Sequence, residues 1–166
     1  MKVRTNRKMR SLLKIKSGDL RSVRIELPDA LQQHLAALEF TEQKGLVTSS
    51  RRIKGSEEAR KDPTGVECLL NKLQMDEFVP RRSTSLRMLT RLGVSYALAV
   101  KEKLEKTRIP GDFRIIVSAS RSLDKSIPYT CTFRFHRLRK ISPWLKEDIE
   151  SYKSEALLTI DWTNPG

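Results

Sequence analysis

The sequence has few cysteines and no long hydrophobic run, and each shortage excludes a class of protein. The two cysteines, Cys68 and Cys131, are far apart, so they form neither a CxxC motif nor a disulfide framework. Apolar stretches such as 96–100 fall far short of the about 20 residues that a membrane-spanning helix needs. No apolar core of a signal peptide follows the basic start of the chain. We therefore expect an intracellular protein of the cytoplasm or nucleus, neither secreted nor membrane-spanning.

Catalytic and cofactor motifs are also scarce. The sequence has no P-loop and no GxGxxG fingerprint, and its carboxylates do not pair in a glycosidase or metal-nuclease pattern. Ser95, in a stretch that faintly resembles a nucleophile elbow, falls inside a predicted helix rather than at a strand-to-helix turn. The only histidines are His34 and His136, and with two scattered cysteines they do not have the spacing of a zinc site. We therefore expect a non-enzymatic protein without cofactor or metal, and a histidine-pair ribonuclease is a lesser alternative.

Negative charge is the third shortage, and it leaves a large positive excess. Thirty-three Lys and Arg face twenty Asp and Glu, which gives a formal net charge of +13. Such an excess causes self-repulsion in the folded state, and a negatively charged partner usually offsets it. Nine cations fall in the first 24 residues with Asp19 as the only acid there, whereas the last 21 residues are mildly acidic. We expect residues 1–20 to form a flexible basic arm.

Cation clusters follow the arm at the long loop, before the main helix and on the hairpin. Clusters of this kind could follow a phosphate backbone without reading base sequence. The candidate polyanion-binding residues are Arg4, Arg7, Lys8, Arg10, Lys14, Lys16, Arg51, Arg52, Lys54, Arg81, Arg82, Arg114, Arg134, Arg137, Arg139 and Lys140. Phe133 and Phe135 alternate with Arg134 and His136, and their period-2 spacing favours the core over a base-stacking role.

The hydrophobic pattern predicts an α+β fold, with residues 21–166 as one domain. Alternation predicts strands at 22–27, 113–120 and 127–137 and a closing strand through Trp162, the middle two forming a C-terminal β-hairpin. Helical spacing predicts helices at 28–40, 64–78 and 83–106, the last with an apolar stripe that includes Leu89, Tyr96 and Leu104. It also predicts a helix that begins at Ser142 and has Leu145, Ile149 and Tyr152 on its inner face. Residues 41–63 have no periodicity and are predicted to form a long exposed loop. An antiparallel sheet packed against several helices accommodates these elements.

The leading functional hypothesis is RNA or DNA backbone binding, and several alternatives remain open. Leu12, Leu13 and Ile15 among the cations of the arm would also suit an anionic membrane surface. In size, charge and element order the chain distantly resembles the small basic matrix proteins of negative-strand RNA viruses, which contact membrane and nucleocapsid. It has neither of the late-domain motifs PPxY and PTAP. An acidic protein partner, as for an inhibitor, and a homo-oligomer that pairs through the terminal strand or the hairpin edge are further alternatives.

Overall fold

The computed structural model describes residues 1–16, 19–49, 61–80, 83–123, 127–139 and 144–166. Its strands are β1 (Lys2–Thr5), β2 (Thr41–Gln43), β3 (Leu46–Thr48), β4 (Leu73–Gln74), β5 (Gly111–Arg121), β6 (Tyr129–Arg137) and β7 (Ala156–Asn164). Its α-helices in the described ranges are α1 (Arg7–Leu13), α2 (Asp29–Ala37), α3 (Pro63–Leu70) and α4 (Leu86–Leu104). Short 3-10 turns lie at Arg21–Val23, Met75–Glu77 and Ile149–Ser151.

Five strands form one antiparallel sheet in the order β1-β7-β5-β6-β4, and β2 pairs with β3 in a separate hairpin. The β5–β6 hairpin that the alternation predicts is present, with Phe113 opposite Arg137 and Arg121 opposite Tyr129. This sheet, packed against α4 and the other helices, confirms the predicted α+β fold. The strand β7 has neighbours on both sides, so the terminal strand that we considered for pairing between copies is internal.

The core lies between α4 and one face of the sheet. Period-2 alternation places the apolar residues of β5, β6 and β7 on that face, and Phe133 and Phe135 are buried there as predicted. The predicted stripe of α4 supplies Leu89, Tyr96 and Leu104 to the same cluster. At Gly93 a Cβ atom would lie 2.7 Å from Cys131 Sγ, so the glycine lets the helix approach β6 closely.

The opposite face of the sheet has a smaller apolar cluster of its own. Ile116 and Leu157 point to this face and pack against Leu145, Ile149 and Tyr152 from the segment before β7. We predicted a helix from Ser142 with these three residues on its inner face. Residues 142–143 lie outside the described residues, and 144–152 contains only the 3-10 turn at Ile149–Ser151. The inner face is therefore as predicted, and the helix is not found in the described part of this segment.

The expectation of a flexible basic arm at residues 1–20 is wrong for residues 2–13. Lys2–Thr5 forms the edge strand β1 on β7, and Asn6 caps α1 by accepting a hydrogen bond from Met9 N. Met9 and Leu13, one helical turn apart, are buried in the main core. Burial of both side chains stabilises α1 in place, because free-energy gains of about 1.5–3 kcal/mol accompany each buried side chain of this size.

Three further elements differ from the sequence prediction because tertiary contacts override the local pattern. The predicted strand at 22–27 is a 3-10 turn followed by extended chain, since Ile25 N donates to Ser95 Oγ on α4 instead of to a strand. The predicted helix at 64–78 ends at Leu70, because β4 pairs with β6. The loop at 41–63 contains the β2–β3 hairpin, with Lys44 and Gly45 both at positive φ; residues 50–60 lie outside the described residues.

The buried carboxylate of Glu67 joins α3, β3 and β6. Glu67 of α3 has no exposed surface, and it accepts hydrogen bonds from Val47 N (2.7 Å) and Arg137 N (2.8 Å). Arg139 donates to both of its oxygens, at 2.7 and 2.9 Å. Asn71 adds a bond from its amide to Phe135 O (3.2 Å). Side chains thus satisfy part of the free edge of β6 where β4 does not reach.

We predict that Glu67→Ala lowers the free energy of unfolding by about 3–5 kcal/mol, because it removes the carboxylate that pairs with Arg139 and leaves two backbone N–H groups without their acceptor. Urea denaturation followed by circular dichroism measures the change. Glu26→Ala, which removes an exposed carboxylate, is the control and should change stability by less than about 1 kcal/mol. Equal effects of the two substitutions would contradict the role of Glu67.

Candidate functional site

Five of the predicted polyanion-binding arginines are engaged in ion pairs within the fold. Their guanidinium groups reach acidic side chains at 2.7–3.7 Å, and the acids come from distant parts of the chain. The pairs are Arg4 with Asp161, Arg10 with Glu150, Arg114 with Asp161, Arg137 with Glu42, and Arg139 with Glu67. These five arginines serve the structure first, and a phosphate would have to compete with carboxylates already in place.

The Arg114 pair lies on the sheet face opposite α4. Arg114 Nε and Nη2 each lie 2.7 Å from one oxygen of Asp161, which is a bidentate arrangement. Arg4 Nη2 stands 3.7 Å from the same carboxylate and its Nη1 donates to Glu147 O at 3.2 Å. The side chains of Arg114 and Asp161 are only 13% and 15% exposed. The group is therefore largely covered rather than presented on the surface.

Arg137 and Arg139 fix the edge of β6. Arg137 Nη1 donates to Glu42 Oε1 at 2.7 Å, its Nη2 donates to Pro110 O, and its guanidinium lies over the Phe113 ring. The hydrogen bond from Arg137 lowers the pKa of Glu42 below its ordinary value. Arg139 holds Glu67 and also donates to Gly45 O. Both residues connect β6 to the β2–β3 hairpin.

A different set of cations is exposed on α1. Its buried side carries Met9 and Leu13, while Arg7, Lys8, Ser11 and Lys14 face solvent; we call these four residues the α1 ridge. Lys16 follows it and is also exposed. Within the described residues, no ion pair engages the side chains of Arg7, Lys8, Lys14 or Lys16. The ridge is therefore a row of cations whose charge the described part of the fold does not neutralise.

A cavity of about 430 Å³ lies along one side of the α1 ridge; we call it the recess. Four of its residues are apolar, three are serines and two are cations. Its lining consists of Lys8, Ser11, Leu12, Leu86, Ala119, Ser120, Arg121, Ser154 and Ala156. Leu86 is the first residue of α4, so the positive end of a 19-residue helix dipole lies beside the recess. The recess combines an apolar wall with a positively charged and hydroxyl-bearing rim.

A second cavity, of about 340 Å³, lies on the other side of the ridge. Arg7, Lys8 and Ser11 line it together with Lys153 and Glu150. Arg7 N donates to Glu150 Oε2 at 2.9 Å and Arg10 Nη2 lies 2.7 Å from Oε1; these bonds lower the pKa of the Glu150 carboxyl. Because Arg10 neutralises this acid, the positive charges of Arg7, Lys8 and Lys153 remain in excess on this side.

The structure thus brings together only part of the predicted set. The cations at or next to α1 are Arg7, Lys8, Lys14 and Lys16. Arg134 is instead half-buried on the sheet face opposite α4, where its positive charge acts to lower the pKa of the Cys68 thiol. Arg51, Arg52, Lys54, Arg81, Arg82 and Lys140 lie outside the described residues. Sequence patterns did not predict Arg121, Lys153 or the three serines of the recess as site residues, because none of them belongs to a cation cluster along the chain.

The two histidines lie on opposite faces of the sheet. His34 Nδ1 is 2.9 Å from Tyr96 Oη, on the side of α4. His136 alternates with the core residue Phe135, so it points to the other face, where its Nδ1 is 2.9 Å from Arg137 O. Burial lowers the pKa of both histidines. They do not form the acid–base pair that the ribonuclease alternative requires.

The cysteines are free, buried thiols, and burial raises the pKa of Cys68 to about 12 and that of Cys131 further. Neither is a thiolate near neutral pH. Among the described residues, no three side chains of His, Cys, Asp or Glu cluster closely enough to hold a metal ion. No helix in the described ranges has both the length and the apolarity to span a membrane.

Fold and surface together define a basic α+β protein with a cationic ridge between two cavities. The chain belongs to the Uncharacterized protein PM0498 family, whose model matches residues 4–164. No curated protein and no solved structure matches the chain. The family match covers every strand of the sheet except the first two residues of β1, and it includes the ridge and the recess.

We predict that stability decreases as the pH falls below 6.5, the ordinary pKa of histidine, because the folded protein binds the His136 proton less tightly than the unfolded chain. Burial is the main cause; Arg114 and Arg139 add to the effect, and Glu67 and the bond to Arg137 O oppose it. The contribution of neutral His136 to the free energy of unfolding is therefore complete above pH 6.5 and is lost as the pH falls below that value. Urea denaturation between about pH 7 and about pH 5 measures the decrease.

His136→Gln should reduce the slope of the free energy of unfolding against pH by at most about 1.4 kcal/mol per pH unit. His34→Gln is the matched control, since it removes the half-exposed histidine and leaves the contribution of His136 in place. Parallel curves for the wild-type protein and His136→Gln would show that His136 does not contribute.

Proposed function

We propose that the protein binds nucleic acid through backbone phosphates, with the α1 ridge, Arg121 and Lys153 as the contact surface. The observation that carries this proposal is the row of exposed α1 cations without ion pairs among the described residues. Leaving like charges close together costs free energy in the folded state, and a polyanion offsets that cost. Lysine and arginine on such a surface contact phosphates without reading base sequence.

The dimensions of the ridge support a polyanion rather than a single anion. Arg7 and Ser11 lie four residues apart on one side of α1, and Lys14 follows as the C-cap of the helix, so the ridge extends over the length of α1, about 10 Å at a rise of 1.5 Å per residue. A nucleic-acid strand in a duplex carries one phosphate per about 3.4 Å of helix axis, so the ridge runs along about three phosphates. Arg121 and Lys153 widen the positive surface across the ridge, one in each cavity.

The alternatives have less support from the described surface. The membrane alternative needs an apolar face on α1, but Leu13 is buried in the core and Leu12 and Ile15 pack against it. The ribonuclease alternative loses its histidine pair, as described above.

We predict that Lys8→Ala/Arg121→Ala weakens binding to a fluorescent oligonucleotide and flattens its salt dependence. Each phosphate contact contributes about 0.7–0.9 to the slope of log affinity against log salt concentration, so loss of two cations should reduce the slope by roughly 1.4–1.8. Fluorescence anisotropy over a potassium chloride series measures both quantities.

Lys106→Ala/Arg108→Ala is the charge-matched control for this experiment. Both residues are exposed and follow the C-terminal end of α4, whose 19 residues place them about 28 Å from Leu86 at the recess. The control should leave the salt slope unchanged although it alters the net charge equally. Equal effects of the two double variants would indicate nonspecific attraction, and stronger binding to anionic vesicles than to the oligonucleotide would favour the membrane alternative.

A further inference from the structure

We infer that the recess receives one unpaired nucleobase, so that the protein prefers single-stranded to double-stranded nucleic acid. This inference rests on the proposed function and specifies its substrate. Phosphate contacts alone require only an exposed row of cations, which the α1 ridge supplies. The recess adjoins that row through two shared residues, Lys8 and Ser11, and it has a volume and an apolar wall that backbone binding does not use.

The size and the wall of the recess fit a flat organic group. Its volume of about 430 Å³ lies within the range of roughly 300–1,000 Å³ that is typical of small-molecule pockets. Ala119 and Ala156 are buried in its wall, and Leu12 and Leu86 complete its apolar lining. An inorganic anion alone would be poorly solvated against such a wall. A nucleobase has two weakly polar faces that apolar side chains can cover.

The rim of the recess fits the polar parts of a nucleotide. Lys8 of α1 and Arg121 at the end of β5 lie on different elements bordering the recess, so a phosphate at the mouth can reach a cation on either side. Ser11, Ser120 and Ser154 carry hydroxyl groups that both donate and accept hydrogen bonds. Hydroxyls of this kind satisfy the edge of any base, so the site tolerates different sequences.

A base can enter the recess only when it is unpaired. In a duplex the bases are stacked and paired inside the helix, and extruding one costs free energy. A single strand turns its bases outward at little cost, which is why sequence-tolerant binders of single strands combine a cationic track with sites for bases. The ridge and the recess together have these two parts.

The test compares a single strand with an abasic strand of the same length, which has the same phosphates and no bases. Wild-type protein should bind the base-containing strand about tenfold more tightly, a difference of about 1.4 kcal/mol. Ser120→Leu and, separately, Ser154→Leu place a branched apolar side chain in the lining of the recess without changing charge, and neither serine belongs to the α1 ridge. Both variants should lose the preference for bases and keep the affinity for the abasic strand.

Controls separate the recess from the fold and from the ridge. Ser22→Leu makes the same change at an exposed serine of the 3-10 turn at Arg21–Val23 and should keep the preference. Thermal denaturation confirms that each variant is folded. Equal, salt-sensitive binding of wild type to both strands would overturn the inference and leave the proposed function standing. Equal losses on both strands in Ser120→Leu and Ser154→Leu would also overturn it, whereas no binding to any strand would refute the proposed function itself.

Discussion

The pairing of β1 with β7 is the constraint on which the arrangement of this protein depends. Lys2 lies opposite Asp161 and Thr5 opposite Leu158, so the start of the chain is held by its end. Asn6 extends the connection: its backbone N donates to Leu157 O, its Oδ1 accepts from Leu157 N, and its amide donates to Tyr152 O and Glu155 O. This residue also caps α1. The position and rotation of α1 therefore follow from β7.

Much of the fold was predictable because its central elements have strong local patterns. The alternation of β5 and β6 and the stripe of α4 each extend over nine or more residues, and both were predicted with the correct buried face. β1 has only four residues, three of them polar, so its sequence alone does not predict a strand. It forms a strand because β7 pairs with it. Gly45 was a sequence signal that could have been used, since a glycine in a two-residue turn is typical of a tight hairpin, and in the structure Lys44 and Gly45 both have positive φ.

The candidate site was less predictable than the fold, because a cluster of cations along the chain does not show which of them have acidic partners. Arg10 and Glu150 are 140 residues apart, and Arg139 and Glu67 are 72 apart. Five arginines of the predicted set are paired in this way. Conversely, Arg121 and Lys153 are isolated in sequence, and only the packing of β5 and of the segment before β7 brings them to the ridge.

The mildly acidic end of the chain makes the exposed charge of the ridge informative. Pairing of β1 with β7 brings this acidic segment beside the basic start, where carboxylates are at hand to neutralise it. The neutralisation is selective: Asp161 pairs with Arg4, and Glu150 pairs with Arg10 and accepts a hydrogen bond from the backbone N–H of Arg7. The side chains of Arg7 and Lys8 gain no such partner among the described residues, although Glu150 lines the same cavity. Pairing with the acidic segment is therefore selective, and a binding role for the ridge explains why charge persists where compensation was within reach.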